Sequence, residues 1–198
     1  MVGGVSRLYA HRLALLTELG YGWFDYEIVP STLPDEDLGP ERQAALQALD
    51  ADMTTLLSRF DINTTADVTS QLEEQKMYAD AKACVLLYYR AHFSGSGAKT
   101  LRRYIGTMAS DARPRYLRRL RGHEPLAMAL YARVLVLMKL LDFAWWMNGA
   151  GEYEVMERDV HGMEQLMPIH LRWCMDWPLK VLSGDINLPP PVQLNPES

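Results

Sequence analysis

Apolar residues recur along most of this chain at spacings of three and four, the period of a helix with one buried face. In "VSRLYAHRLALLTELG" Leu8, Leu15 and Leu19 share a face, and Gly20 is a natural stop. "YGWFDYEIVPSTLPDEDLGP" loses the period and reads as a loop that packs its rings inward. Pro40 suits the first turn of the next helix, whose stripe is Leu46, Leu49, Met53, Leu56, Leu57 and Phe60. Thr64 with Asp67, and Ser70 with Glu73, each resemble a capping box. The helix they would start, "QLEEQKMYADAKACVLLYYRAHF", begins polar and ends strongly apolar. "SGSG" breaks it, and two short basic helices follow, "AKTLRRYIGTMA" and "RPRYLRRLRG".

"HEPLAMALYARVLVLMKLLDFAWWMNG" is hydrophobic almost all round, which predicts the central helix of a bundle. Gly149 and Gly151 end it. "EYEVMERDVHGMEQLM" puts Val155, Met156, Val160, Met163 and Met167 inside and its acids outside, and Pro168 stops it. "IHLRWCMDWPLKVLSG" carries two further tryptophans up to Gly184. No stretch alternates as a strand does, and no repeat is visible. The prediction is an all-α single-domain bundle of seven or eight helices over residues 1–184. A Pro-rich tail, 185–198, is expected to be extended and partly disordered.

Composition narrows the class. The chain has 198 residues, 48% of them hydrophobic, enough for one sizeable core. Its net charge of −5 argues against a general nucleic-acid-binding surface. Cys84 and Cys174 lie in apolar helical contexts and read as buried free thiols. The N-terminus lacks a signal peptide's apolar stretch. The most apolar run, 125–147, is interrupted by Arg133, Lys139 and Asp142, so no membrane span is expected. The expected location is intracellular, nuclear or cytoplasmic.

Candidate chemistry is sparse. His161 and Glu164 lie three apart, but Pro168 separates them from His170, so no metal site is expected. "PDEDL", residues 34–38, lies between prolines and reads as a solvated acidic loop. The run Lys99 to Arg121 is basic: Arg115, Arg118 and Arg119 share one face, and Tyr116, Leu117 and Leu120 the other. The favoured reading is a solvated face paired with acidic helices; the rival is a contact for an acidic partner. Cys174 and His170 are at helical spacing, but both are expected in a Trp-rich core segment.

The remaining signal is a set of methionines and aromatics. Methionine fills irregular space, which suits a ligand cavity as well as an ordinary core. The set is Met128, Tyr131, Met138, Trp145, Trp146, Met147, Met156, Met163, Met167, Trp173, Met175 and Trp177, and for any one of them the core is the favoured place. Trp145 and Trp146 are offset by about 100° on a helix, so one can anchor the core while the other faces a groove.

The segments "HEPLAMALYARVLVLMKLLDFAWWMNGAGEYEVMERDV" and "MPIHLRWCMDWPLKVLSG" carry a resemblance. Pro125-Leu126-Ala127, Trp145-Trp146 with Gly149 and Gly151, and Trp177-Pro178-Leu179 make the chain similar to the C-terminal part of fungal zinc binuclear-cluster transcription factors. The likeness is to the group of the sterol-uptake regulators of yeasts. It departs from them in lacking the six-cysteine zinc cluster, so the DNA-reading head is absent. The resemblance implies an all-helical regulatory domain, often dimeric, with a hydrophobic pocket for a sterol-like or other lipophilic ligand, formed by the central helix, the Gly149–Gly151 turn and the last helices, and the residues expected to line it are Met128, Tyr131, Trp145, Trp146, Met147, Gly149, Gly151, Trp173 and Trp177.

Three functions are therefore weighed. The first is a non-catalytic regulatory module binding a lipophilic small molecule, without cofactor and without direct nucleic-acid binding. The second is a stand-alone relative reused as a cyclase-like enzyme on a lipophilic substrate, with Asp142, Glu152, Glu154 or His123 as guessed acids or bases. The third is a homodimerisation module without a ligand.

Overall fold

The computed structural model describes residues 38–60, 68–96, 101, 108, 113–140 and 155–192, all within one compact unit, Leu33–Ser198. Six α-helices and one 3-10 helix are found among them, and no strand. The helices are α1 (Gly39–Arg59), α2 (Val68–Phe93), α3 (Pro114–Arg121), α4 (Pro125–Lys139), α5 (Val155–Leu166), the 3-10 helix (Ile169–Met175) and α6 (Asp176–Ser183). The architecture is the all-α bundle that the periodicity predicts. The expected first helix, with Leu8, Leu15 and Leu19, lies outside the described residues.

The centre is α4. Every residue from Leu126 to Leu137 except Tyr131 is buried, and α4 touches every other described helix. A helix apolar on all sides must be covered on all sides, and its neighbours' stripes do this. Leu49, Met53 and Leu56 come from α1, and Met156, Val160 and Met163 from α5. The apolar half of α2, from Tyr78 to Phe93, supplies Tyr88, Tyr89 and Phe93. Its polar start reaches back to Val68, so Ser70 lies inside the helix and is not its cap. Thr64 and Asp67 lie outside the described residues.

Chain direction between α3 and α4 is set by hydrogen bonds. His123 takes a left-handed φ of 56°, and the Glu124 N–H donates to the Arg119 carbonyl at 3.0 Å. This closes α3 with a residue other than glycine in the left-handed position. Glu124 then caps α4: its Oε2 accepts from the Ala127 N–H at 2.9 Å and from the Tyr78 hydroxyl at 2.5 Å. One carboxylate thus sets where α4 begins and ties it to α2. On the opposite side of the same turn, the Tyr116 hydroxyl donates to the Ala127 carbonyl at 2.9 Å.

The basic segment resolves in part. On α3, Tyr116, Leu117 and Leu120 are buried. Arg115 pairs with Glu73 and Arg119 with Glu74, each at 2.6 Å. These two arginines therefore serve an exposed contact between α3 and the acidic start of α2. Lys99, Arg102 and Arg103 lie outside the described residues.

Arg133 is the exception inside α4. It is 1% exposed. Its Nε donates to Asp52 Oδ2 at 2.9 Å and its Nη2 donates to the same oxygen at 2.5 Å. Its Nη1 donates to the carbonyls of Ala129 at 2.7 Å and Cys174 at 3.3 Å. A buried guanidinium is tolerable only when its charge and donors are matched in this way. Removing the carboxylate should therefore be costly. Asp52→Asn is expected to lower stability by about 2–4 kcal/mol, read as the urea midpoint, whereas Asp50→Asn on the exposed side of α1 should cost under about 1 kcal/mol.

His92 gives a second expectation. Burial at the end of α2 holds its imidazole below the ordinary value, so it is neutral when folded. The unfolded side chain takes up a proton below about pH 6.5. Stability from this group is complete above that pH and declines as pH falls toward the depressed native value. The melting temperature of the parent chain should fall between pH 7 and pH 5, and His92→Gln should flatten part of that slope. An unchanged slope would show that His92 does not titrate on unfolding.

Candidate functional site

The candidate site is a cleft where α1, α4, the 3-10 helix and α6 meet. Arg133, with its partner Asp52 from α1, lies among the residues that line it. The two tryptophans of the closing segment stand beside it. Trp177 packs edge-on to Tyr89 at 6.0 Å, and the Arg133 guanidinium lies 5.7 Å from its ring centre. Trp173 lies 6.1 Å from Phe60, and the Arg59 guanidinium covers its ring at 5.1 Å.

Local sequence explains why these rings converge. Pro168 ends α5 and opens the 3-10 helix, in which side chains three apart eclipse. At Asp176 the chain changes to an α-helix, with Pro178 in its first turn, where a missing N–H does no harm. Trp173 and Trp177 flank that change of pitch and reach the same cleft. Cys174, between them, is buried and gives its carbonyl to Arg133.

The cleft holds about 240 Å³. Sites for drug-sized molecules are roughly 300–1,000 Å³, so it takes a small molecule or one end of a larger one. Its apolar lining comes from both tryptophans, Leu56 and Ile186. Its polar lining includes Arg59, Asp176 and Lys180. Neither Arg59 nor Lys180 is ion-paired among the described residues. An apolar body against the indoles with an acidic or hydroxylated end toward these cations fits the lining.

The expected pocket residues separate. Trp173 and Trp177 line the cleft. Met128 is fully buried in the core, and Tyr131 is half-buried against it. Trp145, Trp146, Met147, Gly149 and Gly151 lie outside the described residues, as do Asp142, Glu152 and Glu154. His123 is exposed in the α3–α4 turn and does not line the cleft. His161 and Glu164 approach to 3.7 Å on the surface of α5, with no third ligand among the described residues. His170 is exposed while Cys174 is buried, so the pair expected in one core segment is split. In a 3-10 helix residues four apart no longer share a face.

Neither Arg133 nor Asp52 is marked out by a motif in the sequence. The available signal was a lone arginine in a helix otherwise apolar on every side, a residue type almost never buried unless paired.

Burial pushes the Cys174 thiol up to about 11, with nearby Arg133 pulling weakly the other way. Burial likewise raises the Cys84 thiol, although Arg113 donates to its Sγ at 2.8 Å. Neither is poised as a nucleophile near neutral pH. No family model, no curated protein and no solved structure matches this chain. Among the described residues no helix is long and apolar enough to cross a membrane.

The raised thiol carries its own expectation. At pH 8 Cys174 in the folded protein should react with iodoacetamide at least about a hundredfold more slowly than free cysteine. Mass spectrometry of the labelled peptide reads this, and rapid labelling of the native chain would contradict the burial described.

Proposed function

We propose that this chain is a non-catalytic regulatory module that binds a lipophilic small molecule, with one end of its site at the Trp173–Trp177 cleft. The observation that carries the reading is the meeting of these two tryptophans at one cleft, which Arg133 also lines. Trp177-Pro178-Leu179, part of the resemblance to fungal zinc-cluster regulators, is the segment that brings Trp177 there. The ligand class is an amphipathic lipophile, sterol-like in bulk. Its apolar body lies along the indoles, Leu56 and Ile186, and its polar end lies toward Arg59 and Lys180. Apolar area removed from water stabilises the complex by about 25 cal/mol per Å². These two cations, not ion-paired among the described residues, orient the ligand.

A catalytic reading has less support: the cleft thiol is held protonated at neutral pH, and the Asp52 carboxylate is paired with Arg133. A homodimerisation module is the rival with support of its own. Val68 and Leu72 lie one turn apart on α2 and are 71% and 61% exposed, and Ile169 is 82% exposed.

Native mass spectrometry of the purified chain, followed by organic extraction, tests the reading. One hydrophobic molecule per chain is expected, released on denaturation. Trp173→Ala should weaken its rebinding at least about tenfold, roughly 1.4 kcal/mol, because Trp173 is half-buried and lines the cleft. A clean protein mass that sterols and terpenoids leave unchanged, with twice the chain mass in solution, would replace this reading with the dimerisation module.

A further inference from the structure

The described chain after Gly184 belongs to no helix, yet it is held in place. Gly184 has a left-handed φ of 83°, which glycine adopts without steric cost. It turns the chain back so that the Ile186 N–H donates to the Lys180 carbonyl at 3.0 Å. Ile186 then forms part of the cleft wall. Beyond it Leu188 packs against the core and Pro189 is buried.

The next contacts follow from the composition of the run. Pro189, Pro190 and Pro191 have no N–H to donate, so their backbone is held only through carbonyls. Arg42, in the first turn of α1, supplies the donors. Its Nε donates to the Pro190 carbonyl at 2.7 Å, and its Nη2 to the Pro191 carbonyl at 3.4 Å. The Val192 N–H, the first donor after the prolines, donates to the Phe93 carbonyl at 3.0 Å. Phe93 ends α2, where carbonyls lack helical partners. The segment therefore runs from the cleft to the start of α1 and the end of α2, fastened at both ends.

The fastenings differ in kind. At the cleft end a backbone bond, from the Ile186 N–H to the Lys180 carbonyl, secures the turn after α6. At the far end a solvent-accessible arginine and one backbone bond work against the entropy of an extended chain.

We propose that residues 185–192 form a latch on the Trp173–Trp177 cleft. Docked on Arg42 and Phe93, the segment keeps Ile186 in the cleft wall; released, it opens that wall. Its use in admitting a ligand rests on the cleft being the binding site, but the latch can be tested without any ligand.

The full chain is labelled with 5-fluorotryptophan, and the cleft resonances are assigned with Trp173→Phe and Trp177→Phe. Fluorine NMR and amide exchange are then compared in the parent chain, Arg42→Ala and Val192→Pro. The proline variant removes the donor to Phe93 and leaves Arg42 in place. In Arg42→Ala the Val192 amide should exchange about tenfold faster. Both cleft resonances should move, and in the same direction as in Val192→Pro. Faster exchange with unmoved tryptophans would overturn the latch, as would unchanged exchange. If both changes appear in a chain that binds no lipophile, the latch stands and the proposed function falls. If a lipophile binds while the resonances ignore the tail, the reverse holds.

Discussion

A positive charge sits inside the most apolar helix of the protein, and much of the described structure is arranged to tolerate it. Arg133 would be a severe liability if left unmatched in the core. It is matched by Asp52 from α1, by the carbonyl of Ala129 one turn back in α4, and by the carbonyl of Cys174 in the 3-10 helix. Those partners come from three separate elements. The charge therefore fixes how α1 and the closing segment seat on α4 in a way that apolar contact alone does not. Apolar packing is tolerant of small slides, whereas a hydrogen-bonded fork is not. The same demand shapes the cleft. The carboxylate and carbonyl that satisfy the guanidinium hold it beside Trp177, and Asp52 and Cys174 line the cleft with it.

A second polar device governs the other end of α4. Glu124 caps the helix and receives the Tyr78 hydroxyl, while Tyr116 binds the carbonyl of Ala127. Burial raises the Tyr78 and Tyr116 hydroxyls well above the ordinary range, so both stay protonated and act as donors. The central helix is thus fixed at its start by a carboxylate cap and in its middle by a buried ion pair. Between these points its surroundings are almost purely apolar. Tail contacts follow the same logic on the surface, where Arg42 and the Val192 N–H meet carbonyls that have no helical partner.

Several elements were legible in the sequence for a simple reason: their side chains announce which way they face. The stripe of Leu49, Met53 and Leu56 on α1 is buried as its spacing requires. On α5 the same holds for Met156, Val160 and Met163, with Met167 just beyond the helix. On α3 Tyr116, Leu117 and Leu120 turn inward while Arg115 and Arg119 find Glu73 and Glu74 on α2. The closing segment was less legible. Its two tryptophans were visible as candidates, but a 3-10 turn changes the angular spacing, so His170 and Cys174 part where an α-helix would have kept them together. In the sequence Arg133 is only an interruption in an apolar run. Its partner stands 81 positions away in the chain, beyond the reach of any local pattern.

The sequence by itself determined the helical class, the central position of α4, and the inward faces of α1, α3 and α5. These follow from the 3.6-residue period, which each segment carries on its own. Only the tertiary structure decided that Asp52 neutralises Arg133, that Trp173 and Trp177 share a cleft, and that the proline run ends on Arg42 and Phe93. Each of those joins residues far apart in the chain, and such pairings are selected by the burial and hydrogen-bond demands of the packed core, which no single segment encodes.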